Sequence, residues 1–196
     1  MIYLVTGFTR SGTSMMMNCL VAGGMDAVFF ESNEGAAYQT VDGYHGNPNG
    51  YFQLEQSDIE RPDFPECFDG KLIKMPSYWW TGTRGYGARK ITLPYKVIFM
   101  RRDREEQRYS RRRLDDHTGA RPNGRIITTR EPVYHMIMPN IRDNAVTYDE
   151  VWYPDAVQNP LPIFELLREH GWPIDPQKSA QVPDPSLYRI KKENLP

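Results

Sequence analysis

Apolar residues fall in short runs separated by segments of helical length, a pattern that alternates between the two-residue period of strands and the longer period of helices. Residues 2–6 (IYLVT) form the first run and end at Gly7. A turn containing glycine and serine follows, and then residues 14–24 (SMMMNCLVAGG) have helical length and stop at paired glycines. The spacing therefore predicts strand, loop and helix in that order. Residues 26–30 (DAVFF), 71–75 (KLIKM), 95–100 (YKVIFM) and 145–148 (AVTY) read as further buried strands. Residues 103–117 and 130–145 can form helices, the second starting near Pro132, where a proline suits a first turn. Ile163, Leu166 and Leu167 lie at helical spacing in a segment that closes at His170 and Gly171. Residues 31–68 and the loop between Met75 and Tyr95 are rich in Gly, Pro, Asn and Tyr, and are expected to be long excursions carrying at most short helices.

Strands alternating with helices imply an α/β fold of three layers, with a central, mostly parallel sheet of about five strands and helices on both faces. A chain of 196 residues without an internal repeat or a linker-like segment fits one domain spanning 1–196. Hydrophobic residues at 39% and charged residues at 25% are those of a globular chain, and 16 prolines favour ordered loops over dense helix packing. The apolar start is only a strand long and no later run approaches 18 residues, so neither a leader nor a membrane span is expected. Two cysteines, Cys19 and Cys67, are too few for a disulfide framework or a zinc site, and a reducing cytoplasm is the simpler location. A net charge of -1 argues against a nucleic-acid partner, although residues 101–113 concentrate seven arginines in thirteen positions. For Arg104, Arg108 and Arg111 to Arg113, a solvated helix face balanced by Glu105 and Glu106 is the expected role.

Candidate chemistry begins at GFTRSGTS, Gly7 to Ser14, where two glycines five positions apart stand between a buried strand and a helix. In that setting backbone N–H groups and a helix N-terminus receive phosphate. A nucleoside-triphosphate loop would read GxxxxGK[ST], but Thr13 stands at the lysine position and the nearest cation is Arg10 inside the loop.

At these residues the chain resembles the P-loop sulfotransferase superfamily, whose 5′-phosphosulfate loop reads approximately PxSGT[ST] with Lys or Arg in second place. Arg10, Ser11, Gly12, Thr13 and Ser14 match, and Thr9 replaces the usual proline. The resemblance implies that Arg10 and the N–H groups of Gly12 to Ser14 hold the phosphosulfate of 3′-phosphoadenosine 5′-phosphosulfate (PAPS). It also implies a strand order of 2-3-1-4-5 and no metal requirement. Arg102 precedes Ser110 by eight residues, like the R-x7-S pair by which the family grips the 3′-phosphate, with Arg101 as a rival anchor. Residues 182–189 (VPDPSLYR) resemble a short C-terminal signature of the same family, whereas its glycine-rich GxxGxWK loop has no counterpart.

Sulfuryl transfer requires a base for the acceptor and a cation for the leaving oxygen. Glu31, directly after the second predicted strand, is placed like the family's glutamate base, with Glu34 and Glu55 in reserve. NPNGYFQLE resembles the family's NPxGYFE stretch, with Gln53 at the glutamate position. Lys74 matches the lysine of the KTHLP region, whose histidine is missing, and is the candidate for stabilising the bridging oxygen. His45, His117, His135 and His170 have no partner spacing and read as surface or capping residues. Tyr78, Trp79 and Trp80 can line a pocket but serve equally well as satellite core. The expected activity is thus sulfuryl transfer from PAPS to a hydroxyl or amine of a small-molecule or carbohydrate acceptor. The alternatives are a P-loop small-molecule kinase using ATP and a non-catalytic nucleotide-binding module.

Overall fold

The computed structural model describes residues 1–28, 54, 56–75, 77, 91, 93–118, 135, 138–139, 141–143 and 145–188. Its centre is a four-stranded parallel sheet of β1 (Ile2–Gly7), β2 (Leu72–Lys74), β3 (Tyr95–Arg101) and β4 (Thr147–Trp152), in the order β2-β1-β3-β4. Register runs Val5 to Lys74 on one side of β1 and Val5 to Ile98 on the other, and Ile98 continues to Asp149. Ile2, Leu4 and Val5 are fully buried because β1 is central and covered on both faces, as parallel strands usually are. Burial of each such side chain contributes roughly 1.5–3 kcal/mol before entropy is counted.

Helices in chain order are α1 (Thr13–Ala22), α2 (Gln56–Ile59), α3 (Arg104–Thr118), α4 (Tyr153–Gln158), α5 (Pro160–Glu169) and α6 (Pro176–Ala180). α1 ends where Gly24 turns left-handed (φ 104°) and the amides of Gly24 and Met25 bond back to Val21 and Leu20. α5 ends in the same way, with Gly171 at φ 81° and the amides of Gly171 and Trp172 bonded to Arg168 and Leu167. That turn delivers Trp172, 1% exposed, into the core. Its indole donates to the buried Asp149 carboxylate at 2.8 Å, and the other Asp149 oxygen pairs with His170 Nδ1. α3 is capped by Asp103, whose side chain accepts from the amides of Glu105 and Glu106.

Two cores lie on opposite faces of the sheet. One joins Val5, Ile98 and Val151 to α1, α4 and α5 through Met16, Leu20, Ala156, Phe164 and Leu167. The other joins Leu4, Val97 and Phe99 to Phe8, Ile59, Phe64 and Ile141. Among the described residues no helix is long and apolar enough to cross a membrane.

The predicted and observed strands differ at two places. The last strand was expected over residues 145–148, but β4 runs from Thr147 to Trp152 and Val146 is 59% exposed. Asp149 and Glu150 interrupt its apolar pattern, because Asp149 is buried for its bonds to Trp172 and His170 rather than for hydrophobicity. The expected second strand is represented by one parallel bridge from Ala27 to Leu72 on the outer side of β2. There Val28 N–H donates to the Leu72 carbonyl and Leu72 N–H to that of Asp26, and residues 29–30 lie outside the described residues. Most of the helix expected over 130–145 also lies outside them, although 135, 138–139 and 141–142 are helical.

Candidate functional site

The loop between β1 and α1 stands at the carboxyl end of the central strand, where ligands of parallel sheets bind. Phe8 anchors its start, packing edge-on against Phe99 at 5.7 Å, and Ser11 N–H closes a turn on the Phe8 carbonyl. Two residues then adopt left-handed backbone, Arg10 at φ 69° and Gly12 at φ 94°. For arginine this conformation is uncommon, and among the described residues no other non-glycine shares it.

Close packing explains both glycines. A Cβ on Gly7 would lie 2.6 Å from Ser11 Oγ and 2.8 Å from the Met100 carbonyl, and one on Gly12 would lie 2.2 Å from the Tyr153 ring. Gly12 is also the N-cap of α1 and brings no side-chain acceptor to its first-turn amides. The Ser11 hydroxyl is fully buried and has no hydrogen-bond partner among the described residues.

Two cations converge on this loop. Lys74, at the end of β2, is 5% exposed and donates to Ser14 Oγ at 3.0 Å. Burial and, second, the nearby Arg10 charge push its ammonium down to about 8. Arg10 Nε donates to Ser110 Oγ at 3.0 Å, so Ser110 on α3 reaches the loop across 100 residues of sequence.

Arg102 faces inward beneath the loop. Its side chain is 8% exposed and its Nε pairs with Glu106 at 2.8 Å, while one terminal nitrogen points to the Arg10 carbonyl at 3.4 Å. The guanidinium lies over the rings of Tyr153 at 4.6 Å and Tyr188 at 5.4 Å. The second Glu106 oxygen accepts from the Tyr188 hydroxyl at 2.8 Å. Arg101 projects elsewhere, to Glu150 at 2.6 Å and over the half-exposed Trp152 ring. The structure thus brings Arg10, Ser11, Gly12, Thr13, Ser14, Lys74 and Ser110 to one loop, with Arg102 buried directly behind it. Glu31, Glu34, Glu55, Tyr78, Trp79 and Trp80 lie outside the described residues, as does His45.

Compared with protein-family models, curated proteins and solved structures, the chain has no match. Among the described residues no group of three or more His, Cys, Asp or Glu is placed to hold a metal ion. Both cysteines are free, and burial raises the Cys19 thiol to about 12.

Three residues of this neighbourhood were not singled out by sequence reasoning. Glu106 was read as balancing a solvated arginine face but is 3% exposed and bonds Arg102 and Tyr188. Tyr153 forms the floor under Gly12, and Tyr188 packs edge-on against it at 5.3 Å. A signal did exist for Tyr188, which belongs to the C-terminal PDPSLYR run, but nothing in that run shows that it folds back under the first loop.

Proposed function

We propose that the chain is a sulfotransferase that binds PAPS at the Gly7–Ser14 loop and moves the sulfuryl group to a hydroxyl or amine of a small-molecule or carbohydrate acceptor. The observation that carries this reading is the convergence of Arg10 and Lys74 on a loop whose buried Ser11 hydroxyl has no partner among the described residues. Two cations near enough for one to depress the other create a positive site that a phosphosulfate would relieve. Thr13 in place of a Walker lysine favours a phosphosulfate over a nucleoside triphosphate. On the same reading the sheet is a five-stranded, P-loop NTPase-like sheet whose edge beside β2 is begun by residues 26–28. The Ala27–Leu72 bridge supports that arrangement. The reducing cytoplasm suits its two free thiols.

In the proposed reaction the acceptor oxygen or nitrogen attacks sulfur in line. The new bond to sulfur forms as the bond from sulfur to the bridging phosphate oxygen breaks, leaving adenosine 3′,5′-bisphosphate. Lys74, Arg10 and the loop amides of Gly12 to Ser14 offset the charge that develops on the leaving oxygen. Glu31 takes the acceptor proton, with Glu34 and Glu55 in reserve.

The sulfuryl group carries less charge than a γ-phosphoryl group, so Mg²⁺ is not required to neutralise it. Adenosine 3′,5′-bisphosphate should therefore raise the melting temperature in EDTA more than ATP with Mg²⁺ does, and Arg10→Ala should shrink that rise. Strong stabilisation by ATP with Mg²⁺ and none by the bisphosphate would replace this reading with the kinase. Binding of the bisphosphate without any sulfated product by mass spectrometry would replace it with the non-catalytic module.

A further inference from the structure

The resemblance implies that Arg102 grips an anion, but its surroundings are those of a structural strut. Each Glu106 oxygen has a partner in the cluster, Arg102 Nε at 2.8 Å and the Tyr188 hydroxyl at 2.8 Å. The guanidinium is covered by two tyrosine rings that pack edge to face at 87°. Its backbone carbonyl is tied as well, accepting from Gln107 Nε2 at 2.7 Å. One terminal nitrogen is directed toward the loop, where it meets the carbonyl of Arg10, the residue held at φ 69°. The Tyr153 ring under Arg102 is also the surface against which Gly12 closes.

The segment that completes this cluster comes from the far end of the described chain. Asp184 caps a short 3-10 turn, Pro185–Leu187, by accepting from Ser186 N–H at 2.8 Å, and Tyr188 N–H bonds the Pro185 carbonyl. That local structure directs Tyr188, 6% exposed, into the space between Tyr153 and Glu106.

We propose that Tyr188 and its turn form a clasp beneath the phosphate loop, in which Tyr188 orients Glu106, Glu106 orients Arg102, and Arg102 holds the Arg10 carbonyl and the Tyr153 floor. Arg102 is then a positioning residue for the loop and not a ligand to the 3′-phosphate. The clasp rests on the loop being an anion seat, as proposed above, but not on which nucleotide it takes.

Tyr188→Phe tests the relay gently, since it removes one hydroxyl and keeps the ring, and Arg102→Ala removes the strut. Hydrogen exchange should quicken several-fold across residues 8–17 in both variants while the interior of β3 stays protected. In calorimetry, pyrophosphate, adenosine 5′-phosphate and adenosine 3′,5′-bisphosphate should all weaken by a similar factor, about tenfold for Arg102→Ala. Loss confined to the bisphosphate would overturn the strut and make Arg102 a 3′-phosphate ligand. Unchanged loop exchange in Tyr188→Phe, or exchange that rises equally in loop and strand, would overturn the clasp. If Arg102→Ala does not fold, Tyr188→Phe decides. If the wild-type protein binds none of the three anions, the anion-seat reading fails and exchange alone judges the clasp.

Discussion

Lys74 and Arg102 are both buried cations beside the same loop, yet their surroundings follow opposite rules. Arg102 lies against a carboxylate, with two aromatic faces closing around it. Lys74 lies against a hydroxyl, and burial and, second, the Arg10 charge drive its ammonium down to about 8. A buried charge with a fitted counter-charge is an internal part of the fold, and removing either partner leaves the other stranded. A buried charge depressed first by desolvation and second by a like charge carries an unfavourable interaction that a bound anion would offset. The difference separates scaffold from site more sharply than exposure does, since both side chains are nearly inaccessible.

The largest expected effect breaks the scaffold side. Glu106→Ala strands the Arg102 guanidinium and should cost about 3–5 kcal/mol, which for a domain of this size lowers the melting temperature by roughly 10 °C. Denaturant unfolding would measure it, and a loss below about 1 kcal/mol would show that the pair contributes little.

The next effect addresses Lys74 through pH. Its folded-state value, about 8, lies below the ordinary 10.5, so between those values the unfolded chain binds the extra proton. Stability should therefore rise as pH increases from about 8 toward 10.5, by at most about 3 kcal/mol from this group. Burial raises the Tyr95 hydroxyl to about 12, which works in the opposite direction above pH 10. The informative quantity is thus the difference between wild type and Lys74→Met, measured by urea unfolding across this range. Lys74→Met should be at least as stable as wild type at pH 7 while losing most anion-induced stabilisation. A variant that is destabilised at pH 7 would put Lys74 on the scaffold side instead.

The smallest effect sharpens the link between the two cations. Arg10→Gln removes the second of the two causes that depress Lys74, so the alkaline step should move upward but by less than burial alone displaces it. A step that does not move would mean that Arg10 and Lys74 do not share one site.

Much of the scaffold was legible in residue order. The runs at 2–6, 71–75 and 95–100 correspond to β1, β2 and β3, since their apolar residues bury locally and say so by type. Glycines at 7 and 12 between a strand and a helix located the loop, for backbone geometry leaves a mark wherever a Cβ cannot fit. β4 was displaced because its buried Asp149 is stabilised by partners 21 and 23 positions away, which no local pattern records.

By itself, then, the sequence determined the alternating α/β plan, the glycine-bracketed loop with Arg10 inside it, and Lys74 at the end of a strand. These depend on interactions within a few residues or on a strand's own burial. Only the tertiary structure decided that Ser110 would meet Arg10, that Lys74 would be buried against Ser14, and that Glu106 and Tyr188 would enclose Arg102. Each of those contacts closes a chain separation or a face choice that periodicity leaves open. An arginine in a basic run reads the same whether it faces water, a phosphate or a buried glutamate. What distinguishes the three is the low-dielectric enclosure that assembly creates.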